Sequence, residues 1–243
     1  MCAKAYSSSS SSVASNPPLA SPHDANSPTY KILLVEDHPL TRQGMKQLLA
    51  RKGRFEVCGE AESAPRALEL VAKLSPNLAI VDITLKSANG IELTKDIRAL
   101  APATQVLVVS MHGENIYAER ALRAGAMGYL MKDEPADNIL VAIEAVMRGE
   151  VFVSARIKGR MLHRFVHKPS DMLASPIDRL SDREMEVLRL IGNGYGTRDI
   201  ASMLNLSVKT IDSYREHLKE KLALANGGDL VRYAIQWTKS ETV

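Results

Sequence analysis

The stretch KILLVEDHP, residues 31–39, decides the fold. Four consecutive aliphatic residues, Ile32-Leu33-Leu34-Val35, end at two acids, and a proline-led amphipathic segment follows. A strand with one wet face alternates apolar and polar residues. A short unbroken apolar run instead belongs to a strand covered on both sides, as in a parallel sheet. The same pattern recurs along the chain. It predicts strands near 31–35, 55–60, 78–82, 105–110 and 127–131, and helices near 38–51, 64–74, 90–99, 114–124 and 135–148. Five βα units in succession require an open α/β sheet between two helical layers. Crossovers are right-handed in such sheets, and the functional edge lies at the carboxyl ends of the strands.

On the N-terminal side, residues 1–29 hold nine serines and four prolines with almost no large apolar side chains, and read as a disordered tail. Residues 30–152 form the α/β domain. Residues 153–176 lose its rhythm: Pro169, Ser170, Ser175 and Pro176, with the bases Arg156, Lys158, Arg160 and Arg164, mark a linker that includes a helix near 156–166. Residues 177–243 carry helical patterns only. Ser181 and Glu184 make a capping box ahead of the stripe Met185, Leu188, Ile191, and Gly192 with Gly194 closes that helix. A short helix from Thr197 to Leu204 and a turn at Asn205-Leu206 lead to a longer helix capped by Ser207 and running to Leu222. Two helices across so tight a turn form a helix-turn-helix unit. Val208, Ile211, Leu218 and Leu222 are expected to be its buried stripe. The last helix, near 228–238, offers Leu230, Ile235 and Trp237 either to a dimer interface or to the core.

Composition narrows the function. With 45% hydrophobic residues but no apolar run near the length of a bilayer span, the chain is not expected to cross a membrane. No secretion signal is legible, so the cytoplasm is the expected location. Cys2 and Cys58 supply neither a disulfide framework nor a zinc site and read as plain thiols. The net charge of +3 arises in the linker, where five bases face one acid; the flanking blocks are near neutral. Bulk charge therefore does not argue for a nucleic-acid partner, and pattern must carry that case.

Three acids fall at one edge of the expected sheet. Glu36 and Asp37 follow the first strand and Asp82 ends the third, so a doubly wound order gathers them at the topological switch point. Crowded carboxylates need a counter-ion, and a hard divalent cation with open coordination positions, Mg²⁺, meets that need. Ser110 after the fourth strand and Lys132 after the fifth add a hydroxyl and an ammonium. Together these groups suit the stabilisation of a phosphoryl group in transfer. His38 and His112 lie nearby but lack a ligand partner at helical spacing, and are read as loop packing or hydrogen bonding.

Glu36-Asp37, Asp82, Ser110, Tyr129 and Lys132, with Gly90 eight residues after Asp82, resemble the receiver domain of bacterial two-component response regulators over residues 31 to about 150. The resemblance implies a flavodoxin-like doubly wound five-stranded parallel sheet. It also implies that Asp82 accepts a phosphoryl group from a sensor histidine kinase, and that Mg²⁺ is held by Glu36, Asp37, Asp82 and the Thr84 carbonyl. By the same resemblance Lys132 pairs with the phosphoryl group, Ser110 moves to meet it, and Tyr129 turns inward when Ser110 moves. Lys86 stands where the family commonly has proline. A haloacid-dehalogenase-like phosphatase would want an acid two residues after Asp82, where Thr84 stands. No enzymatic turnover is expected beyond self-phosphorylation and its reversal.

Leu-Ser-x-Arg-Glu from Leu180, Gly-Tyr-Gly from Gly194, Ser-x-Lys-Thr-Ile from Ser207, and Lys221-Leu222 resemble the LuxR-type helix-turn-helix of NarL/FixJ regulators. That resemblance implies promoter DNA as partner and a homodimer when phosphorylated. Asp212, Ser213 and Glu216 take the base-reading positions, with Lys209, Thr210, Arg215 and Lys219 nearby for phosphate. Two acids on the reading face leave a second reading open, a regulator acting through protein contacts without DNA.

Overall fold

The computed structural model describes residues 29–85, 88–166 and 176–241. Most of the serine-rich tail, Lys86 and the middle of the linker lie outside the described residues. The α/β half runs β1 (Tyr30–Val35), α1 (Pro39–Ala50), β2 (Phe55–Ala61), α2 (Ala64–Leu74), β3 (Leu78–Val81), the two-residue strands β4 (Thr84–Leu85) and β5 (Ala88–Asn89), α3 (Gly90–Leu100), β6 (Gln105–Ser110), α4 (Glu114–Arg123), β7 (Gly128–Met131) and α5 (Ala136–Met147). The five long strands are parallel in the order β2-β1-β3-β6-β7, and β4 and β5 pair as an antiparallel hairpin after β3.

The unbroken apolar strands are explained by the layers. Ile32 and Leu34 pack with Leu49, Ile143 and Val146 of α1 and α5. Leu33 and Val35 point the other way, toward Val71, Ile97 and Ala118 of α2, α3 and α4. All four β1 residues are at most 2% exposed, so both faces are core. Each buried aliphatic side chain contributes about 1.5–3 kcal/mol relative to exposure, which fixes strand register against slippage. Because β1 and β3 are neighbours and paired Val35 to Val81, the residues that follow them meet at one edge.

The linker helix α6 (Ala155–Val166) begins one residue before the expected start and packs on α4. Ile157 is fully buried there, and Arg156 and Arg160 bond to the side chain and carbonyl of Asn115. This part of the connector is therefore an extension of the α/β core rather than a free spacer. A 3-10 turn (Pro176–Arg179) leads into α7 (Asp182–Gly192), α8 (Thr197–Met203), α9 (Val208–Lys221) and α10 (Gly227–Glu241). Both halves of the capping box at α7 form, Glu184 N–H to Ser181 Oγ and Ser181 N–H to Glu184 Oε2. Asn205 turns the chain between α8 and α9 at φ 52, a left-handed conformation that asparagine tolerates. The expected stripe of α9 needs one correction: Ile211, Leu218 and Leu222 are buried, but Val208 is 44% exposed. Val208 opens the helix beside the Ser207 cap, three residues before Ile211 begins the packed face, so its side chain is left largely in solvent.

Candidate functional site

β1 and β3 deliver Glu36, Asp37 and Asp82 to the carboxyl edge, where they are 7%, 9% and 4% exposed. The loop after β1 is braced from α1: Arg42 donates to the Glu36 carbonyl at 2.6 Å and to Glu60 on β2 at 2.9 Å. Lys132, just past β7, reaches across the edge with Nζ 2.5 Å from Glu36 Oε2 and 2.8 Å from Asp82 Oδ2. Burial pushes the Asp82 carboxyl up, against the pull of Lys132. Burial would lower Lys132, but its two carboxylate partners outweigh this and hold the ammonium above its usual value. One ammonium cannot balance three carboxylates. Among the described residues Asp37 Oδ1 is buried without a hydrogen-bond partner, and ligand atoms of Glu36, Asp37, His38 and Asp82 all lie within 4.8 Å of one another. A small hard cation fits this charge and spacing.

Ser110 ends β6 fully buried, with its Oγ accepting from the His112 amide at 3.3 Å. Tyr129 on β7 is 2% exposed and donates its hydroxyl to the His112 carbonyl at 2.5 Å. Its ring already occupies the inward position that the resemblance ties to Ser110 movement. Burial pushes its phenol well above the usual value. Gly90, at the start of α3, lies against the loop after β3 so closely that a Cβ would sit 2.0 Å from the Asp82 carbonyl oxygen.

The hydrogen bonding expected of the two loop histidines is found, and it involves the pocket. His38 points its Nδ1 into the acidic pocket, 2.8 Å from Asp37 Oδ1 and 3.2 Å from Glu36 Oε1. His112 bonds Nε2 to Thr84 Oγ1 at 2.8 Å and stacks against Tyr117 with ring centroids 4.9 Å apart. Burial, then the charges of Arg189 and Lys132, push its pKa down to about 3, so the ring is neutral. Cys58, on β2, is half-buried and free, with its thiol donating to the Ile32 carbonyl.

The second site is the outer face of α9. Lys209, Asp212, Ser213 and Glu216 are exposed, and Thr210, Arg215 and Lys219 are half-buried at its margin. Glu216 pairs with Lys219 at 2.8 Å, and the Ser213 hydroxyl folds back onto the Lys209 carbonyl. Two of the three candidate readers, Ser213 and Glu216, thus bond to neighbours on their own helix. The α/β half does not cover this face; it meets α7 instead. Asp182 is gripped by Arg120 of α4 at 3.0 Å and Lys95 of α3 at 3.2 Å, and Asn89 donates to Glu186 at 3.4 Å.

The two halves match two families: the response regulator receiver domain over residues 32–144, and the luxR family of bacterial regulatory proteins over residues 178–234. The chain is 34% identical over 210 residues to the oxygen regulatory protein NreC of Staphylococcus haemolyticus, covering 85% of this chain and 97% of that protein. RcsB of Salmonella enterica serovar Typhimurium, solved bound to the rprA promoter with the phosphomimetic BeF3-, superimposes with a TM-score of 0.59. It shares 25% identity with this chain and covers 85% of it and 98% of its own length. A LuxR-family two-component response regulator from Aurantimonas sp. SI85-9A1 gives a TM-score of 0.53 at 34% identity, over 57% of this chain and 99% of that one. Receiver fold, acidic pocket and helix-turn-helix together define a phosphorylation-controlled, DNA-binding transcription regulator. The chain belongs to the LuxR family of two-component response regulators.

Proposed function

We propose that Asp82 accepts a phosphoryl group from the phosphohistidine of a sensor histidine kinase, and that the resulting acyl phosphate controls how the chain presents α9 to promoter DNA. The reading rests above all on Lys132 bridging Asp82 and Glu36 in a buried acidic pocket at the switch point. The Asp82 carboxylate oxygen forms the new bond to phosphorus as the bond to the kinase imidazole breaks. Lys132 is then free to leave Asp82 for a phosphoryl oxygen, and Ser110 to exchange the His112 amide for another. A transferred group of about −1.5 to −2 charges among carboxylates makes this rearrangement favourable. Glu36, Asp37, Asp82 and the Thr84 carbonyl would hold Mg²⁺, which supplies neutralisation of the phosphoryl oxygens when bound. The protein works in the cytoplasm, where kinase domain and promoter are both accessible.

On DNA, α9 enters the major groove, with Asp212, Ser213 and Glu216 toward base edges and Lys209, Thr210, Arg215 and Lys219 toward phosphates. One module reads too few base pairs for genomic selectivity, so phosphorylated homodimers bind half-sites about one helical turn apart. The deciding experiment treats wild type and Asp82→Asn with acetyl phosphate and Mg²⁺ and resolves the products on phosphate-affinity gels. Wild type should shift and the variant should not. Full labelling of Asp82→Asn removes this residue as the acceptor.

A further inference from the structure

We propose that His38 is a nitrogen ligand at the rim of the acidic pocket, so that the site takes imidazole-preferring divalent ions such as Ni²⁺ and Co²⁺ as well as Mg²⁺. The inference rests on reading the pocket as a divalent-cation site, and extends it from three carboxylates to a mixed oxygen and nitrogen donor set.

Three observations carry it. The first is spacing. Adjacent ligands of an octahedral ion with bonds of about 2.0–2.1 Å lie about 2.9 Å apart. His38 Nδ1 stands 2.8 Å from Asp37 Oδ1 and 3.2 Å from Glu36 Oε1, which brackets that value on two sides. The second is direction. The approach to Asp37 does not make a hydrogen bond, since Asp37 Oδ1 is buried without a hydrogen-bond partner among the described residues. An ion shared by both atoms would satisfy them, whereas the bare contact leaves the buried carboxylate oxygen without a hydrogen bond. The third is access. The imidazole is 67% exposed, while its backbone is fixed by the His38 N–H donating a hydrogen bond to Glu36 Oε1 at 3.0 Å and by Pro39 behind it. The ring can meet an ion entering from water without any rearrangement of the core.

The donor chemistry sets the consequence. Carboxylates and carbonyls suit Mg²⁺, whereas an imidazole raises affinity along the series toward Ni²⁺ and Cu²⁺. A pocket made only of Glu36, Asp37, Asp82 and the Thr84 carbonyl discriminates among these ions less than one that also presents His38.

The test loads the full chain with Mn²⁺ and records pulsed electron paramagnetic resonance. Nitrogen modulation on the bound ion, lost in His38→Gln, is the expected result. In parallel, Mg²⁺ and Ni²⁺ each displace bound Mn²⁺, and the Ni²⁺ to Mg²⁺ affinity ratio should fall at least about tenfold in His38→Gln. Bound Mn²⁺ without nitrogen modulation in the wild type overturns the assignment, as does modulation that survives His38→Gln. Equal losses for both ions show that His38 only supports the loop, and also overturn it. If the wild type binds no Mn²⁺ at all, the failure lies with the cation site itself.

Discussion

Gly90 shows how little freedom the loop after β3 has. Its added Cβ would meet the Asp82 carbonyl oxygen at 2.0 Å and the Ile83 Cα at 2.8 Å, both backbone atoms that cannot swing aside. The Gly90 amide also bonds the Ile83 carbonyl at 2.7 Å, so the loop is held from the same side that the methyl would push. Gly90→Ala should therefore lower stability by about 1–3 kcal/mol and slow phosphorylation of Asp82, measured by urea denaturation and by initial labelling rate with acetyl phosphate. Labelling at the wild-type rate would mean the loop relaxes without moving the acceptor. Much of this site was legible beforehand. A side chain that ends a parallel strand must sit at one edge of the sheet, so Glu36, Asp37, Asp82, Ser110 and Lys132 could be placed from strand pattern alone. The closeness of His38 to the acids is not encoded by helical spacing, because here a loop folds residue 38 back over residues 36 and 37. His112 finds its partner Thr84 on the hairpin after β3, a contact 28 positions apart that no local pattern encodes.

Among the elements, α7 ties the two functional faces together. Its Glu184 caps Ser181 and also takes Lys221 of α9 at 2.6 Å. Burial pushes the Glu184 carboxyl up, but Lys221 and the Ser181 bonds outweigh it and hold the group below its ordinary value of 4.5. The unfolded chain then takes up the proton first. Its contribution is complete above the ordinary value and is lost as pH falls through the lowered folded value. Glu184→Gln should accordingly lower the thermal midpoint of the full chain at neutral pH, and the gap from wild type should narrow as pH falls below the ordinary value of 4.5. A gap that stays constant with pH would assign the loss to packing. On α9 the sequence pattern placed the exposed face, since its polar residues repeat at 209, 212, 213 and 216 and all are exposed. It misassigned Val208, because periodicity cannot tell the first residue of a helix, which has no neighbour beneath it, from the packed turns that follow. The Glu216–Lys219 pair is mostly solvated at Glu216, so it adds at most a few tenths of a kcal/mol to folding. Glu216→Ala should change discrimination among sites by about 1–3 kcal/mol while non-specific retention holds, read by competition gel retardation; a uniform loss for every sequence makes it a positioning residue.

For the molecule as a whole, the decisive contacts join residues that the sequence keeps far apart. Lys95 and Arg120 converge on Asp182, and Arg120 also donates to the Ile177 carbonyl at 3.1 Å, so one guanidinium holds both the turn and the first residue of α7. Nothing in three charged residues on different domains marks them as partners, and their pairing was illegible until the domains were placed. Arg120 lies on α4, the helix that follows the Ser110–His112 segment directly. A change at Ser110 thus reaches the junction through a single short helix. Beside the junction, a cleft of about 370 Å³ is lined by Met111, His112 and Tyr117 from one half and by Arg189 and Trp237 from the other. Asp182 and Arg120 side chains are 8% and 15% exposed, so their pair is shielded from screening more than the surface pairs are. Removing the charge should cost the closed arrangement about 1–2 kcal/mol, a shift of about 5–30-fold in the ratio of open to closed molecules. Asp182→Asn is therefore expected to raise the radius of gyration in small-angle scattering and to shift the emission of Trp237, the sole tryptophan, to longer wavelength as its cleft opens to water. Acetyl phosphate should move the wild type in the same direction, and the variant less, because part of the change is already made. If Asp182→Asn leaves both readings at wild-type values while labelling normally, the junction is held by its apolar contacts and the ion pairs contribute nothing to its control.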